Sequence, residues 1–200
     1  MAAIACVNSG AGLVTVATDR DNIPALHAHL PEAMAFDFGE RDRLLDNLRV
    51  ANVVLIGSGL GESDAANQVL NLVLANIRPD QNVVVDCSAL NLLAKKNKAD
   101  LPECHLILTP HQKEWERLSG LAILEQAVSN TQKALADFPA ETILVAKSHR
   151  TSVYQSKEVA HLEVGGPYQA TGGMGDTLAG MVTGFLAQFA SNDRYKACLL

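Results

Sequence analysis

The chain has 200 residues, 48% of them hydrophobic, which is enough length and apolar material for one domain with a buried core. A net charge of −6, an aromatic content of 4% and the lack of a basic patch disfavour nucleic-acid binding. No apolar run reaches the length of a membrane span, and the N-terminus lacks the basic region of a signal peptide. Four scattered cysteines without metal-ligand spacing indicate the reduced thiols of a cytoplasmic protein.

Both ends of the chain have the pattern of a helix interior. Met1–Val7 is almost continuously apolar and is followed by Asn8-Ser9-Gly10, a signal for a helix C-terminus. Tyr195–Leu200 has the pattern of a helix that stops without a cap. We therefore expect residues 1–200 to form a single domain that is truncated at both ends.

The first half of the chain alternates short apolar runs with helical patterns. Predicted strands are Leu13–Ala17, Ala33–Phe36 and Val53–Ile56, and predicted helices are Glu40–Leu48 and Ser63–Ile77, with Asp19–Pro31 a loop containing one helical turn. Gly57, Gly59 and Gly61 follow the third strand, an arrangement typical of a ligand-binding edge in α/β proteins. Their spacing is not that of a dinucleotide-binding fingerprint, and a tight strand-to-helix connection is the alternative.

The second half continues the alternation and adds a hairpin. Predicted strands are Val83–Val85, Leu106–Leu108, Thr142–Ala146, Thr151–Tyr154 and Val159–Val164, and predicted helices are Ala89–Lys95, one through Glu114–Leu118, and Leu121–Phe138. Asp86 either faces a ligand or caps the next helix. Thr109 is the expected N-cap, with Pro110 at the first helical position and His111 in the first turn. The pattern predicts an α/β sandwich around a mostly parallel sheet.

Two segments near the end carry candidate anion-binding groups. Residues Lys147 to Thr151 place cations and hydroxyls at a turn, which suits a phosphate or is simply a solvated hairpin. The stretch Ala170–Gln188 begins with Gly172, Gly173 and Gly175 and continues as an amphipathic helix. Glycine amides and a helix N-terminus favour an anion, and Asp176 beside them is a candidate proton acceptor. A glycine turn with Asp176 as a helix-start residue is the alternative.

These motifs, taken together, resemble those of the ADP- or ATP-dependent NAD(P)H-hydrate dehydratases of the ribokinase-like superfamily. The resemblance rests on segments in the family's order: SGAGLVTVAT (9–18), NIPALHAHLPEAM (22–34), IGSGLG (56–61), VVVDCSALNLL (83–93), LTPHQKEWERL (108–118), the 147–151 turn and ATGGMGDTLAGM (170–181). It implies a ribokinase-like three-layer sandwich that repairs hydrated NADH or NADPH by phosphorylating the hydroxyl of the hydrate, after which phosphate leaves.

The resemblance also implies a role for each candidate residue. Asp176 would be the catalytic base, and the amides of Gly172, Gly173 and Gly175 would form the anion hole. The nucleotide, ADP or ATP with Mg²⁺, would contact Lys147, Ser148, His149, Arg150, Thr151 and Gly175. The hydrated cofactor would contact Gly59, Gly61, His111 and Asp176. No protein ligand of Mg²⁺ is assigned, and a homo-oligomer is expected, as the family forms.

The chain departs from the family pattern at three places. Lys147-Ser148 stands where the family usually has Lys-Gly, Asp86-Cys87-Ser88 where it has Asp-Ala-Asp, and Gln112-Lys113 where Pro-Gly follows the TPH segment. Two other functions stay open: a small-molecule kinase of the same superfamily, acting on a hydroxymethylpyrimidine or thiazole alcohol, and a non-catalytic nucleotide-binding relic.

Overall fold

The computed structural model of the chain describes residues 1–163, 166, 171–189 and 193–199. The helices in these ranges are α1 (Ala2–Asn8), α2 (Ile23–His29), α3 (Arg41–Val50), α4 (Asp64–Asn76), α5 (Cys87–Leu93), α6 (Gln112–Ser119), α7 (Val128–Leu135), α8 (Met174–Phe189) and α9 (Arg194–Ala197). The strands are β1 (Thr15–Thr18), β2 (Met34–Asp37), β3 (Val53–Ile56), β4 (Asn82–Val85), β5 (His105–Leu108), β6 (Ile143–Ala146), β7 (Ser152–Gln155) and β8 (Glu158–His161).

The main sheet has the order β3-β4-β5-β6-β7-β8. Strands β3 to β6 pair in parallel, and β7 and β8 return antiparallel at one side. Ile56 pairs with Val85, and Val85 with Leu108, so the parallel strands end at nearly the same level. The loops that follow these strands therefore meet along one edge. Strands β1 and β2 form a separate parallel pair within the described residues.

Apolar residues on both faces of the sheet explain the three layers. All four residues of β4 are buried, as expected for a central parallel strand covered on both sides. Val83 and Val85 pack with α3 to α7, whereas Val84 packs with α8 and α9. These observations confirm the predicted α/β sandwich around a mostly parallel sheet.

Helix α1 lies against α8 at close range because α8 presents glycines to it. A Cβ at Gly180 would lie 2.2 Å from the carbonyl oxygen of Ala2, and one at Gly184 would lie 2.8 Å from that of Cys6. A larger residue at Gly180 would push the helices apart. The predicted N-terminal helix is confirmed, and its partner is the helix of the glycine loop.

Two sequence predictions about the region between β5 and β6 are wrong. Thr109 is not an N-cap: its hydroxyl bonds to Asp86, and His111 caps α6 instead. Leu121–Phe138 is not one helix, because a 3₁₀ turn (Ile123–Glu125) and an extended residue, Ala127, precede α7. The side chain of Gln126 donates to the backbone carbonyls of Gln112 and Leu121, which holds this connection in its non-helical path.

Other predicted boundaries shift by one or a few residues. The expected loop Asp19–Pro31 contains a full helix, α2, with a proline in its first turn. The predicted strand Val159–Val164 is observed as β8, and Val164 lies outside the described residues, as does Leu200 of the predicted last helix.

The four cysteines are free thiols. None of the described helices is long and apolar enough to cross a membrane.

Candidate active site

Four residues that directly follow parallel strands form the base of the site: Gly57 after β3, Asp86 after β4, Thr109 after β5 and Lys147 after β6. The strands are aligned, so the first residues beyond them become neighbours. Such an edge is where open α/β sheets bind ligands. The N-terminus of α8 reaches the same edge, since a Cβ on Gly175 would lie 4.0 Å from Oδ2 of Asp86.

Asp86 is the buried anion at the centre of this edge, with an exposed fraction of 0%. Its Oδ1 accepts hydrogen bonds from Nζ of Lys147 at 2.7 Å and from Oγ1 of Thr109 at 2.8 Å. The side chain does not cap α5, although Asp86 occupies the N-cap position. The open choice between a ligand-facing and a capping aspartate is therefore decided against capping: Asp86 holds Lys147.

Lys147 brings its ammonium group to the head of α8. A Cβ on Gly175 would lie 3.4 Å from Nζ of Lys147, so a glycine leaves room for this approach. The amide of Thr177 bonds to Gly173 and that of Met174 to Thr171, whereas the amides of Gly175 and Asp176 have no acceptor among the described residues. Unsatisfied amides at a helix N-terminus beside an ammonium form an anion-binding group.

Gly173 is required by the shape of the loop that precedes α8. Its φ is +83°, and a Cβ there would lie 1.9 Å from Sδ of Met1. Gly172 has no atom within 4 Å of a Cβ position. The predicted glycine loop is thus in the expected position, with a conformational reason for Gly173.

Asp176 lies in the first turn of α8, at the same edge. Its Oδ1 is 3.6 Å from Sγ of Cys87, which in turn is 3.2 Å from Oδ2 of Asp86. The thiol therefore separates two carboxylates. Burial and then the charge of Asp86 raise the pKa of the Cys87 thiol to about 12, so the thiol keeps its proton at neutral pH.

The 147–151 turn joins β6 to β7 as predicted. The hydroxyl of Ser148 donates to the carbonyl of Arg150 at 2.7 Å and accepts from its amide at 3.1 Å. Ser148 does not have a positive φ, so serine in place of the family's glycine carries no backbone strain. His149, Arg150 and Thr151 lie on this turn, next to Lys147.

His111 stands beside Lys147, with which it forms a parallel bridge. Its Nδ1 accepts from the amides of Lys113 and Glu114, so the ring proton is on Nε2, 3.5 Å from Oε1 of Glu114. Glu114 completes the capping box by accepting from the His111 amide at 2.8 Å. The imidazole is thus fixed in orientation and half exposed at the site edge.

The glycine loop after β3 is fastened to the same edge through Asp86 and Ser88. Gly57 has φ +130°, and a Cβ there would lie 1.7 Å from the carbonyl oxygen of Asp86. The hydroxyl of Ser88 donates to the Gly57 carbonyl at 2.9 Å. Gly59 and Gly61 also have positive φ, with open space around them.

Sequence reasoning assigns no definite site role to three residues that the structure brings to this edge. Asp86 is left with two alternatives, Thr109 is expected to be a helix cap, and Cys87 only departs from the family pattern. A polar residue directly after each continuous apolar strand was the available signal for Asp86 and Thr109. No sequence signal pairs Cys87 with Asp176, because 89 positions separate them along the chain.

The model of the NAD(P)H-hydrate dehydratase family matches residues 1–199. The chain belongs to this family. An ADP-dependent (S)-NAD(P)H-hydrate dehydratase from Streptococcus thermophilus is 78% identical over 200 residues, which are 100% of this chain and 72% of that protein. These findings confirm the resemblance and disfavour the small-molecule kinase.

Two solved structures agree with the assignment to the NAD(P)H-hydrate dehydratase family. A hypothetical protein from Streptococcus mutans superposes with a TM-score of 0.93 at 62% identity, covering 98% of this chain and 71% of that one. The ADP/ATP-dependent NAD(P)H-hydrate dehydratase from Bacillus subtilis, co-crystallized with ATP/Mg²⁺ and soaked with CoA, gives 0.81 at 28% identity, covering 99% and 71%. This chain is shorter than those relatives.

The residues at this edge fit a magnesium ion that is also held by phosphate oxygens. Ligand atoms of Asp86, Cys87 and Asp176 all lie within 4.8 Å of one another. Mg²⁺ is usually bound by one or two carboxylates together with substrate phosphates, and it prefers oxygen to sulfur. The two carboxylates meet that requirement, and the protonated thiol of Cys87 does not contribute.

Proposed function

We propose that this chain restores hydrated NADH or NADPH to the reduced cofactor, with ADP as the phosphoryl donor. The observation that carries the proposal is the meeting of Asp176, Lys147 and the unbonded amides of Gly175 and Asp176 at one edge. A proton acceptor and a phosphate-binding group side by side are what phosphorylation of a hydroxyl requires. Family membership supplies the substrate class.

In this proposal Asp176 takes the proton from the hydroxyl of the hydrate while that oxygen bonds to the terminal phosphorus of the nucleotide. The bond from phosphorus to the departing nucleotide oxygen breaks, and AMP leaves. Phosphate then departs from the ring carbon, and the adjacent carbon loses a proton, which restores the double bond. Asp176 acts at the first step.

Lys147 and the glycine amides act on the transferring group. The ammonium of Lys147 and the amides at the head of α8 stabilise negative charge on the phosphoryl oxygens. Asp86 sets the position of Lys147 by accepting its hydrogen bond. Asp86 and Asp176 would hold Mg²⁺ together with the nucleotide, and the ion would neutralise phosphate charge.

The cofactor and nucleotide contacts are assigned from the same edge. We propose that Gly59, Gly61 and the Nε2–H of His111 contact the hydrated cofactor, and that the 147–151 turn holds the nucleotide. The half-exposed ring of His111, next to Lys147, supports its part in this assignment.

Asp176→Asn tests the proposal. We expect a folded protein whose recovery of reduced nicotinamide absorbance, with hydrated NADH, ADP and Mg²⁺, falls by at least about a hundredfold, the usual contribution of a general base. Asp64→Asn is the matched control, because Asp64 also occupies the first turn of a helix, α4, and the substitution removes the same charge.

Three outcomes separate the alternatives. Full activity in Asp176→Asn would show that the base is another residue. Phosphate transferred to a stable alcohol product would support the kinase. ADP binding without turnover by the unaltered chain would support a relic.

We also propose that the protein is a cytoplasmic homo-oligomer. Met1 and Leu13 have exposed fractions of 68% and 91%, apolar surface that contact with another copy would cover. The free thiols support a reducing compartment, and cell fractionation tests this location.

Light scattering after size-exclusion chromatography tests the homo-oligomer. A monomer at micromolar concentration would contradict it. The absence of nucleic-acid partners and the single-domain assignment stay predictions.

A further inference from the structure

One side of α5 contacts both ends of the glycine loop after β3, residues 57–62. Ser88 and Asn91 are three positions apart in α5, which places them on the same side of the helix. The hydroxyl of Ser88 donates to the carbonyl of Gly57 at 2.9 Å. Nδ2 of Asn91 donates to Oε1 of Glu62 at 2.8 Å. The first and last residues of the loop are therefore both held by α5.

The carboxylate of Glu62 uses both of its oxygens in this attachment. Oε1 accepts from Asn91, and Oε2 lies 3.6 Å from Nζ of Lys95, just beyond the end of α5. Oδ1 of Asn91 accepts from the guanidinium of Arg117 on α6 at 2.7 Å. A carboxylate can only accept and a guanidinium can only donate, so the two partners fix the orientation of the Asn91 amide. One amide thus connects the loop to two helices.

The middle of the loop contains glycines that cannot hold its shape through side chains. Gly59 and Gly61 have φ of +70° and +75°, and no described atom lies within 4 Å of a Cβ position on either. Leu60 packs against the core, and its amide donates to the carbonyl of Gly57 at 3.1 Å. Glycine has many accessible backbone conformations, so ordering such a loop is entropically costly. Its ends must be held if it is to keep one conformation.

Glu62 is not needed to begin the next helix, α4. The hydroxyl of Ser63 caps that helix by accepting from the amide of Ala66 at 3.2 Å. The side chain of Glu62 is 46% exposed, and its ion pair with Lys95 is at the surface, where such pairs contribute little to stability. Removing the carboxylate should therefore leave α4 and the stability of the fold nearly unchanged.

We propose that Glu62 is a positioning residue, which holds Gly59 and Gly61 in the conformation that receives the hydrated cofactor. Glu62 acts through the loop and does not touch the reacting atoms. Helix α5 begins directly after Asp86, so the same helix positions the loop and follows the anion that holds Lys147. The inference rests on the proposed function for the identity of the ligand.

Two substitutions of Glu62 separate positioning from charge. Glutamine keeps an oxygen that accepts from Asn91, whereas alanine does not. Glu62→Ala should raise the KM for the hydrated cofactor about fivefold, the effect of losing one hydrogen bond, with kcat and the KM for ADP unchanged. Glu62→Gln should stay within about twofold of the unaltered chain, because the exposed ion pair with Lys95 contributes little. An effect of charge alone would be the same in both variants.

Hydrogen exchange measures the loop without turnover. The Leu60 amide should exchange about fivefold faster in Glu62→Ala, because opening of the loop is no longer opposed by that hydrogen bond, and at an unchanged rate in Glu62→Gln. Asn91→Ala should also accelerate exchange. The double variant Glu62→Ala/Asn91→Ala should exchange no faster than Glu62→Ala, because both substitutions remove the same contact.

Glu40→Ala is the matched control. Glu40 also precedes a helix, α3, its side chain is 41% exposed, and its Oε2 lies 3.3 Å from Nη1 of Arg43. This variant should change neither KM.

Four results would overturn the inference: an equal rise of the KM for the hydrated cofactor in Glu40→Ala, an equal rise in Glu62→Gln, an equal rise of the KM for ADP in Glu62→Ala, or unchanged exchange of the Leu60 amide in Glu62→Ala. Absence of turnover by the unaltered chain would contradict the proposed function instead. Exchange of the Leu60 amide would then still decide whether Glu62 holds the loop.

Discussion

Replacing Asp86 by asparagine should strongly destabilise the fold, because it removes the negative charge from a buried ion pair. Lys147 has a side-chain exposure of 17% and Asp86 of 0%, and their atoms are 2.7 Å apart. Leaving one buried charge without its partner costs about 3–5 kcal/mol. We expect about 3 kcal/mol, since Lys147 keeps some contact with solvent.

The exposed pair Arg49–Asp46 is a matched control. Its atoms are 2.8 Å apart, almost the same distance, but the side chains are 73% and 70% exposed. Asp46→Asn should cost less than about 1 kcal/mol. Urea denaturation measures both variants, and a lower midpoint at an unchanged m-value identifies a loss of stability.

Lys147→Met and the double variant complete a thermodynamic cycle. The double variant should be more stable than the sum of the single losses predicts, by about 2 kcal/mol for two groups in direct contact. Asp86→Asn should also weaken ADP binding, because Lys147 is no longer held beside Gly175. If Asp86→Asn resembled Asp46→Asn, or if the two losses added, the assigned role of Asp86 would be refuted.

Three further predictions concern single residues. Gly57→Ala should unfold the protein or cost more than about 3 kcal/mol of stability, because the new Cβ would overlap the Asp86 carbonyl. Gly59 lies in open space, so Gly59→Ala should cost only about 1 kcal/mol for its positive φ. Thermal denaturation distinguishes the two variants, and equal losses of stability would contradict the overlap. His111→Ala should cost about 1 kcal/mol of stability, because the side chain no longer caps α6. Asparagine can also cap a helix, so His111→Asn should be as stable as the unaltered chain but should have a higher KM for the hydrated cofactor. An unchanged KM would show that His111 does not contact the substrate. Burial raises the pKa of Cys198 to about 12 from 9.0, so the unfolded chain loses this proton first and stability falls as pH rises above 9. Cys198→Ala removes this pH dependence of stability. Above pH 9, the stability of the variant minus that of the unaltered chain should therefore increase by about 1.4 kcal/mol per pH unit in unfolding experiments. A difference in stability that does not change with pH would contradict the effect assigned to burial of Cys198.

Several elements could be predicted because their patterns are local. Val53–Ile56 is a continuous apolar run bounded by a glycine, and its predicted and observed ends coincide. The helix after Gly175 was predicted from apolar spacing, and its first turn contains Asp176 as expected. The prediction of one helix over Leu121–Phe138 is wrong because Ile123–Glu125 is a 3₁₀ turn and Ala127 is extended, while the Gln126 side chain bonds to the backbone carbonyls of Gln112 and Leu121.

The sequence alone determined the succession of strands along the chain, the positions of the glycine loops, and the position of Asp176 after the last loop. Each of these depends on periodicity or on the backbone freedom of glycine. The tertiary structure decided which side chains face one another. Asp86, Lys147 and Asp176 are far apart along the chain and meet because aligned parallel strands and the head of α8 end at one edge. Packing also decides that the buried Nε1–H of Trp115 has no hydrogen-bond partner among the residues the structure describes, because no local sequence pattern shows where a buried donor finds its acceptor.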